Sequence, residues 1–168
     1  ESCAQREAVF AAQSRSAGTA VTFIRLNYSV EFRYGVLSDI ATKVWTGAPV
    51  DVSTGYVNVI WQRDAIAHSI AALELAADPA VPINITGPAT LSVRELAQEF
   101  GGLLGREVRI TGHEAATAWL NNAARAHREF GLPATSLDTM MRWVAAWVAQ
   151  GGETWGKPTG FEKRDGRF

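Results

Sequence analysis

The sequence predicts an α/β fold built on parallel strands. Short runs rich in β-branched and aromatic residues alternate with amphipathic helical stripes, and a Gly, Pro or capping residue marks nearly every change of period. Composition agrees. With 168 residues, 47% hydrophobic and 20% charged, the chain can bury a core of its own and is too apolar to be disordered.

Each element can be justified in order. Glu1 to Gln13 reads as a helix, with Cys3, Ala4, Ala8, Ala11 and Ala12 recurring on one face beside Val9 and Phe10. It starts without Met, cap or leader, so the expectation is a piece severed from something larger. Ser16 to Thr19 is a turn, and Val21 to Leu26 reads as a buried parallel strand. Val36 to Trp45 is a helix striped by Leu37, Ile40, Ala41 and Val44 and stopped at Gly47. Val50 to Val52 is a short strand, and Tyr56 to Trp61 is another. Asp64 is expected to cap a helix running to about Ala77, with Ile66, Ala67, Ile70, Leu73 and Ala77 buried.

The second half repeats the alternation. Ile83 to Thr86 is a strand, Gly87-Pro88 a turn, and Ser92 with Glu95 a capping box for a helix ending at Gly105. Val108 to Ile110 is a short strand. Glu114 to Phe130 is expected to be mostly helical, up to Gly131-Leu132-Pro133. Ser136 caps a last helix striped by Leu137, Met140, Met141, Val144, Trp147 and Val148, which Gly151-Gly152 breaks. Residues 1–152 form the folded part and 153–168 a polar tail, with Lys163 to Arg167 a solvated end.

Charge and cysteine count exclude several function classes. Sixteen basic against 17 acidic residues, net −1, leave no electrostatic footprint for nucleic acid or an anionic membrane. One Cys permits neither an intrachain disulfide nor a thiolate metal cluster, and fits a cytoplasmic setting. His113 and His127 have no carboxylate partner at metal-ligand spacing, so no metal site is expected. No apolar run reaches membrane-spanning length. His68 is expected as a surface or core polar group, Arg25 as half of a structural salt bridge, and Trp119, Trp143 and Trp147 as packing residues.

Five stretches in order carry a resemblance to a known family. Ser2-Cys3-Ala4-Gln5-Arg6-Glu7 looks like a segment with Ser-Lys and then Glu four places after the Lys. Ile24-Arg25-Leu26-Asn27-Tyr28 looks like a strand ending in Arg-x-x-Asn, and Trp61 to Ala67 like the "HVDDVA" strand-to-helix junction. Ile83 to Ala97 is similar to "N-V-G-G-P…S-x-R-E-L-A", and Arg128 to Pro133 to "R-E-L-G-W-x-P". Together they resemble the C-terminal half of the extended short-chain dehydrogenases/reductases, the NAD-dependent epimerase/dehydratase family.

The resemblance implies the C-terminal part of a Rossmann-like NAD(P)-binding fold with its small substrate-binding subdomain. It implies NAD or NADP held mainly by a missing N-terminal half, a small-molecule substrate, and a sugar or other hydroxyl-bearing carbon as the reacting centre. The family's catalytic Tyr would fall before Glu1, and its Lys position is held by Cys3, which thereby becomes the cofactor-side position of this chain. A thiol carries no permanent positive charge, and the alternative for Cys3 is a plain buried apolar residue. Substrate-side candidates are Asn27, Tyr28, Arg33 and Asn58. Either Asn27 or Tyr28 faces the cleft, Arg33 is the candidate for an anionic group, and Asn58 stands where the family often has a pyrophosphate-binding Arg. Gly101-Gly102-x-x-Gly105 ends a helix and is not a dinucleotide loop. Three functions compete: the substrate-binding half of an epimerase, dehydratase or reductase; a non-catalytic dinucleotide-binding or sensor protein of the same fold; and a stand-alone domain that assembles with another chain. The helices from Val36 and Ser136 are candidates for a homodimer contact.

Overall fold

The structure is a computed structural model that describes residues 2–163. Glu1 and most of the terminal basic segment, from Arg164 on, lie outside the described residues.

Three helices build the main core. Helices α1 (Ser2–Ala17), α2 (Val36–Thr46), α3 (Gln62–Ala71), α4 (Val93–Leu104), α5 (Ala124–Phe130) and α6 (Leu137–Ala149) follow in chain order, and α2, α4 and α6 pack on one another. Leu37, Ile40, Val44, Phe100, Met141 and Val144 are all but fully buried between them. Each such side chain contributes roughly 1.5–3 kcal/mol by leaving water, so this cluster dominates stability. The ends were legible in the sequence. Gly47 and Gly105 adopt the left-handed conformation that closes α2 and α4. Ser92 Oγ accepts from the Glu95 amide at 3.3 Å, and Ser136 Oγ from the Thr139 amide at 3.2 Å.

The strands pair two by two. β1 (Thr22–Leu26) runs parallel to β6 (Val81–Ile85), β2 (Ser29–Val30) to β5 (Ile60–Trp61), and β3 (Val50–Asp51) to β8 (Ile110–Thr111). β4 (Tyr56–Val57) runs antiparallel to β7 (Leu91–Ser92). The strand expected over Tyr56 to Trp61 is therefore two, because Asn58 and Val59 lead the chain from one partner to another. The strand at Val108 to Ile110 begins two residues later than expected.

Four expectations need correction. β1 is parallel but not buried: Ile24, Arg25 and Leu26 are exposed, since among the described residues only β6 pairs with it and its other edge is open. Cys3 is exposed, and so is the apolar face of α1 around Val9 and Phe10. In α3 the buried face is inverted. Trp61, not Asp64, is the N-cap, and the helix gives way to a 3-10 turn (Ala72–Leu75). Ile66, Ile70 and Leu73 are 54%, 63% and 69% exposed. Asp64, Ala65 and His68 turn inward instead: Asp64 accepts the Thr135 amide at 2.9 Å, Ala65 joins Ile60 and Ile85, and His68 lies against Phe130. Finally, only Ala124–Phe130 of the expected Glu114–Phe130 helix forms, because side chains from the strands capture the backbone before it.

The segment after Gly152 docks on the body. Phe161 is buried, its carbonyl accepts from Thr54 Oγ1 at 2.7 Å, Glu162 pairs with Lys43, and Asp39 accepts both the amide and hydroxyl of Thr159. Burial holds the Asp39 carboxyl above its ordinary range despite those two bonds. Trp143 and Trp147 flank Phe32 beside Trp61 as packing residues.

Candidate functional site

The parallel pair β1–β6 positions the site. Asn27 N donates to Ile85 O at 3.1 Å, carrying the ladder one residue past β1. Beyond that point both strands end, and a cleft of about 370 Å³ opens at their carboxyl ends, lined by Asn58, Gly87, Pro88, Thr90, Leu120, Asn121, Asn122, Ala123, Ala124 and His127. Open α/β sheets bind ligands at the carboxyl ends of parallel strands. Gly87 is required at the cleft's floor: a Cβ there would sit 2.1 Å from the Val59 carbonyl oxygen.

Asparagines organise this cleft. Asn58, 5% exposed, accepts from Asn27 Nδ2 at 2.7 Å and from the Asn121 amide at 3.3 Å, and donates to the Asn121 carbonyl at 2.8 Å. Asn27 Nδ2 also reaches the Trp119 carbonyl at 3.2 Å, and Asn84 Nδ2 the Asn122 carbonyl at 3.0 Å. In return Asn121 Nδ2 donates to the Arg25 carbonyl at 3.2 Å. Three carboxamides on or beside the strands thus clamp residues 119–122 across the strand ends. Asn122 Oδ1 also accepts from the Ala124 amide at 2.9 Å, just ahead of the N-cap of α5, Ala123. His127 Nε2 lies 3.0 Å from the Thr86 carbonyl, which can only accept, so Nε2 carries a proton.

The candidates from sequence separate accordingly. Asn27 and Asn58 touch each other at the cleft. Tyr28 does not join them. It packs on the main core at φ 34°, and burial, with Glu162 nearby, raises its phenol. Arg33 lies elsewhere, in a cleft it shares with Asp39, Lys43, Lys157 and Glu162, paired with Glu31 at 3.2 Å and 5.2 Å from the Trp155 ring. The Arg25 salt bridge is present: its guanidinium meets Glu7 through two bonds, of 2.8 and 2.5 Å, and they hold the Glu7 carboxyl below its usual range. Cys3 Sγ is 3.7 Å from Arg6 Nη2.

Sequence reasoning missed Asn84, Asn121 and Asn122. The signal existed. Asn is depleted in strands, yet Asn84 sits between the buried Ile83 and Ile85. Among the described residues, no three His, Cys, Asp or Glu could hold a metal ion, and no helix is long and apolar enough to cross a membrane. The Gly101 cluster closes α4, where Gly101 passes so near Val108 that a Cβ would lie 2.4 Å from its Cγ2, and Gly105 is the C-cap.

No protein-family model matches the chain, and no curated protein matches it by sequence. Solved structures do match. The UDP-glucose 4-epimerase of Thermotoga maritima, solved with UDP-glucose, superposes with a TM-score of 0.70 at 14% identity, over 86% of this chain and 51% of that one. The UDP-glucose 4-epimerase of Thermus thermophilus, solved with NAD, gives 0.68 at 13% over 83% and 50%. The dTDP-glucose 4,6-dehydratase of Bacillus anthracis, also with NAD, gives 0.68 at 14% over 86% and 49%. The chain spans about half the length of each. It shares the Rossmann-type α/β fold of these epimerases and this dehydratase over about half of their length.

Proposed function

We propose that this chain is the C-terminal, substrate-binding half of an NAD(P)-dependent epimerase/dehydratase-type oxidoreductase acting on a sugar or other hydroxyl-bearing substrate. The observation that carries the reading is the asparagine-lined cleft at the carboxyl ends of β1 and β6. The Glu7–Arg25 pair supports it, because it joins the two positions by which α1 and β1 resemble that family. The open edge of β1, and the exposed Ile24, Leu26, Ile66 and Ile70, are what an adjoining layer of the same sheet would cover. On this reading that layer brings NAD or NADP and the proton-transferring Tyr. In this division of labour the chain's own residues bind and orient. Asn58 lines the cleft and Asn27 braces it through a hydrogen bond, while Asn121, Thr90 and His127 offer polar groups in its lining. Cys3 stands at the cofactor-side position.

A second reading is favoured by one observation. Cys3 supplies no fixed charge at the family's Lys position, which suits a protein that keeps dinucleotide binding without turnover, such as a sensor. Titration calorimetry with NADH separates the readings, using this chain and the full-length gene product. The chain alone is expected to bind no tighter than about micromolar. The longer protein is expected to bind NAD(P)H and, for an enzyme, to change cofactor absorbance with a hydroxyl-bearing substrate. Binding without any turnover selects the sensor reading. Sub-micromolar binding by this chain alone would sink both, since both place the cradle elsewhere.

A further inference from the structure

We infer that His68 is an acid-sensitive latch between α3 and α5, whose protonation frees the α5 side of the strand-end cleft. The inference stands apart from what the cleft binds. α3 turns the His68 ring inward, 6% exposed, against the Phe130 ring of α5, with 5.7 Å between centroids. Its Nδ1 is buried and, among the described residues, meets no hydrogen-bond partner. A neutral imidazole leaves one nitrogen as an acceptor, so the neutral ring tolerates this site. An imidazolium carries a proton on both nitrogens. Protonation therefore makes Nδ1 a charged donor with nothing to receive it, and that costs more than a bare acceptor.

The groups around the ring do not relieve this cost. Burial, then His127 on α5, disfavour the charged ring and outweigh Asp64 on α3, whose carboxylate already accepts the Thr135 amide at 2.9 Å. Arg63, Glu74, Arg125, Arg128 and Glu129 are the other charged side chains of α3, the 3-10 turn and α5, and all are exposed. β2, β5 and β6, which also pack on α3, carry no ionisable side chain. The charged ring gains water or an acceptor when the element over it moves, and that element is α5. It is seven residues long, too short to persist without support. Its support is the Phe130–His68 ring contact, the His127–Thr86 bond at 3.0 Å, and the burial of Ala123 and Ala126 with Ala72 and Ile83. α5 carries Ala124 and His127 of the cleft lining. The asparagine clamp on residues 119–122 does not involve His68, so the opening is confined to the α5 side.

The test is amide hydrogen exchange on the whole chain between about pH 7.5 and 5.5, corrected for intrinsic rates, with the His68 ring followed by NMR. His127 N, which donates to Ala123 O at 3.0 Å, is expected to lose protection below about pH 6.5, by up to about tenfold per pH unit, the limit for one proton. Phe100 N in α4 should keep its protection. The α5 loss should vanish in His68→Phe and persist in His127→Gln, which retains an N–H donor. An α5 change below about twofold, or one in step with Phe100, would overturn the inference. So would a loss that survives His68→Phe. Where His68→Phe does not fold, the parent chain decides: a folded-state His68 ring titrating at or above the ordinary histidine value, about 6.5, would overturn the latch.

Discussion

Replacing Asn58 by Ala tests the cleft's construction. The side chain is buried and takes part in three hydrogen bonds, from Asn27 Nδ2, from Asn121 N and to Asn121 O. Each is worth about 1 kcal/mol net, so truncation removes about 3 kcal/mol if nothing rearranges. Asn121 lines an open cleft and regains water, which lowers the expected loss to about 2 kcal/mol. Against a stability of roughly 5–15 kcal/mol for an ordinary domain, that is a large fraction. Urea unfolding reads it directly: with a slope of about 2 kcal/mol per molar, the midpoint falls by about 1 M. A shift below about 0.25 M would refute the clamp as an energetic unit. Asn58→Asp sharpens the test. The new carboxylate can still accept from Asn27 and Asn121 N, but it meets the Asn121 carbonyl without a proton to share. Its folded pKa rises above the unfolded value, so the penalty is complete above the folded pKa. It vanishes as pH falls below about 3.9, the unfolded value.

Further outcomes follow from other sites. The Glu7 carboxyl is depressed chiefly by its hydrogen bonds to Arg25, so its small contribution is present above the unfolded Glu pKa and lost as pH falls through the folded one; Arg25→Ala should return the Glu7 midpoint, read by NMR, to the ordinary range. His68 is held neutral by burial, then by His127, with Asp64 opposing; the stability it supports is present above about pH 6.5 and declines as pH falls toward the folded pKa. The urea midpoint of His68→Phe should therefore depend less on pH between about 7.5 and 5.5 than that of the parent chain. Ile66→Ser with Ile70→Ser should change stability by no more than about 0.5 kcal/mol per site, where a buried stripe would cost 2–5, and calorimetry or urea unfolding distinguishes the two.

The helices of the main core were legible because their stripes meet one another. Leu37, Ile40 and Val44 on α2 face Phe100 on α4 and Val144 on α6, so the periodicity named the contact as well as the helix. Periodicity was just as clear on α3, yet the face it named is outside. A stripe reports that a surface is apolar, not what covers it, and the inward face makes a hydrogen bond to Thr135 and a ring contact with Phe130, both far along the chain. Residues 114–123 read as helix on composition and are not, because Asn27, Asn58 and Asn84 take their carbonyls. No local pattern encodes a clamp made of three side chains separated by dozens of positions. The asparagine cleft was legible in part: Asn27 and Asn58 were singled out one by one, but their mutual bond was not.

The Glu7–Arg25 pair bears on what Cys3 means. Both partners occupy positions where α1 and β1 resemble the family, and their bidentate contact fixes the register of the helix against the strand. A slip by one residue would rotate Glu7 by about 100° around α1 and break it. In that register Cys3 lies one turn before Glu7 on α1. Arg6 follows three residues later, within 3.7 Å of the thiol, and Arg6, Glu7 and Phe10 together border β1. On the enzyme reading, the cation that a Lys would have supplied sits about one turn further along α1, on a guanidinium that cannot be deprotonated. On the sensor reading, Arg6 instead neighbours an exposed thiol.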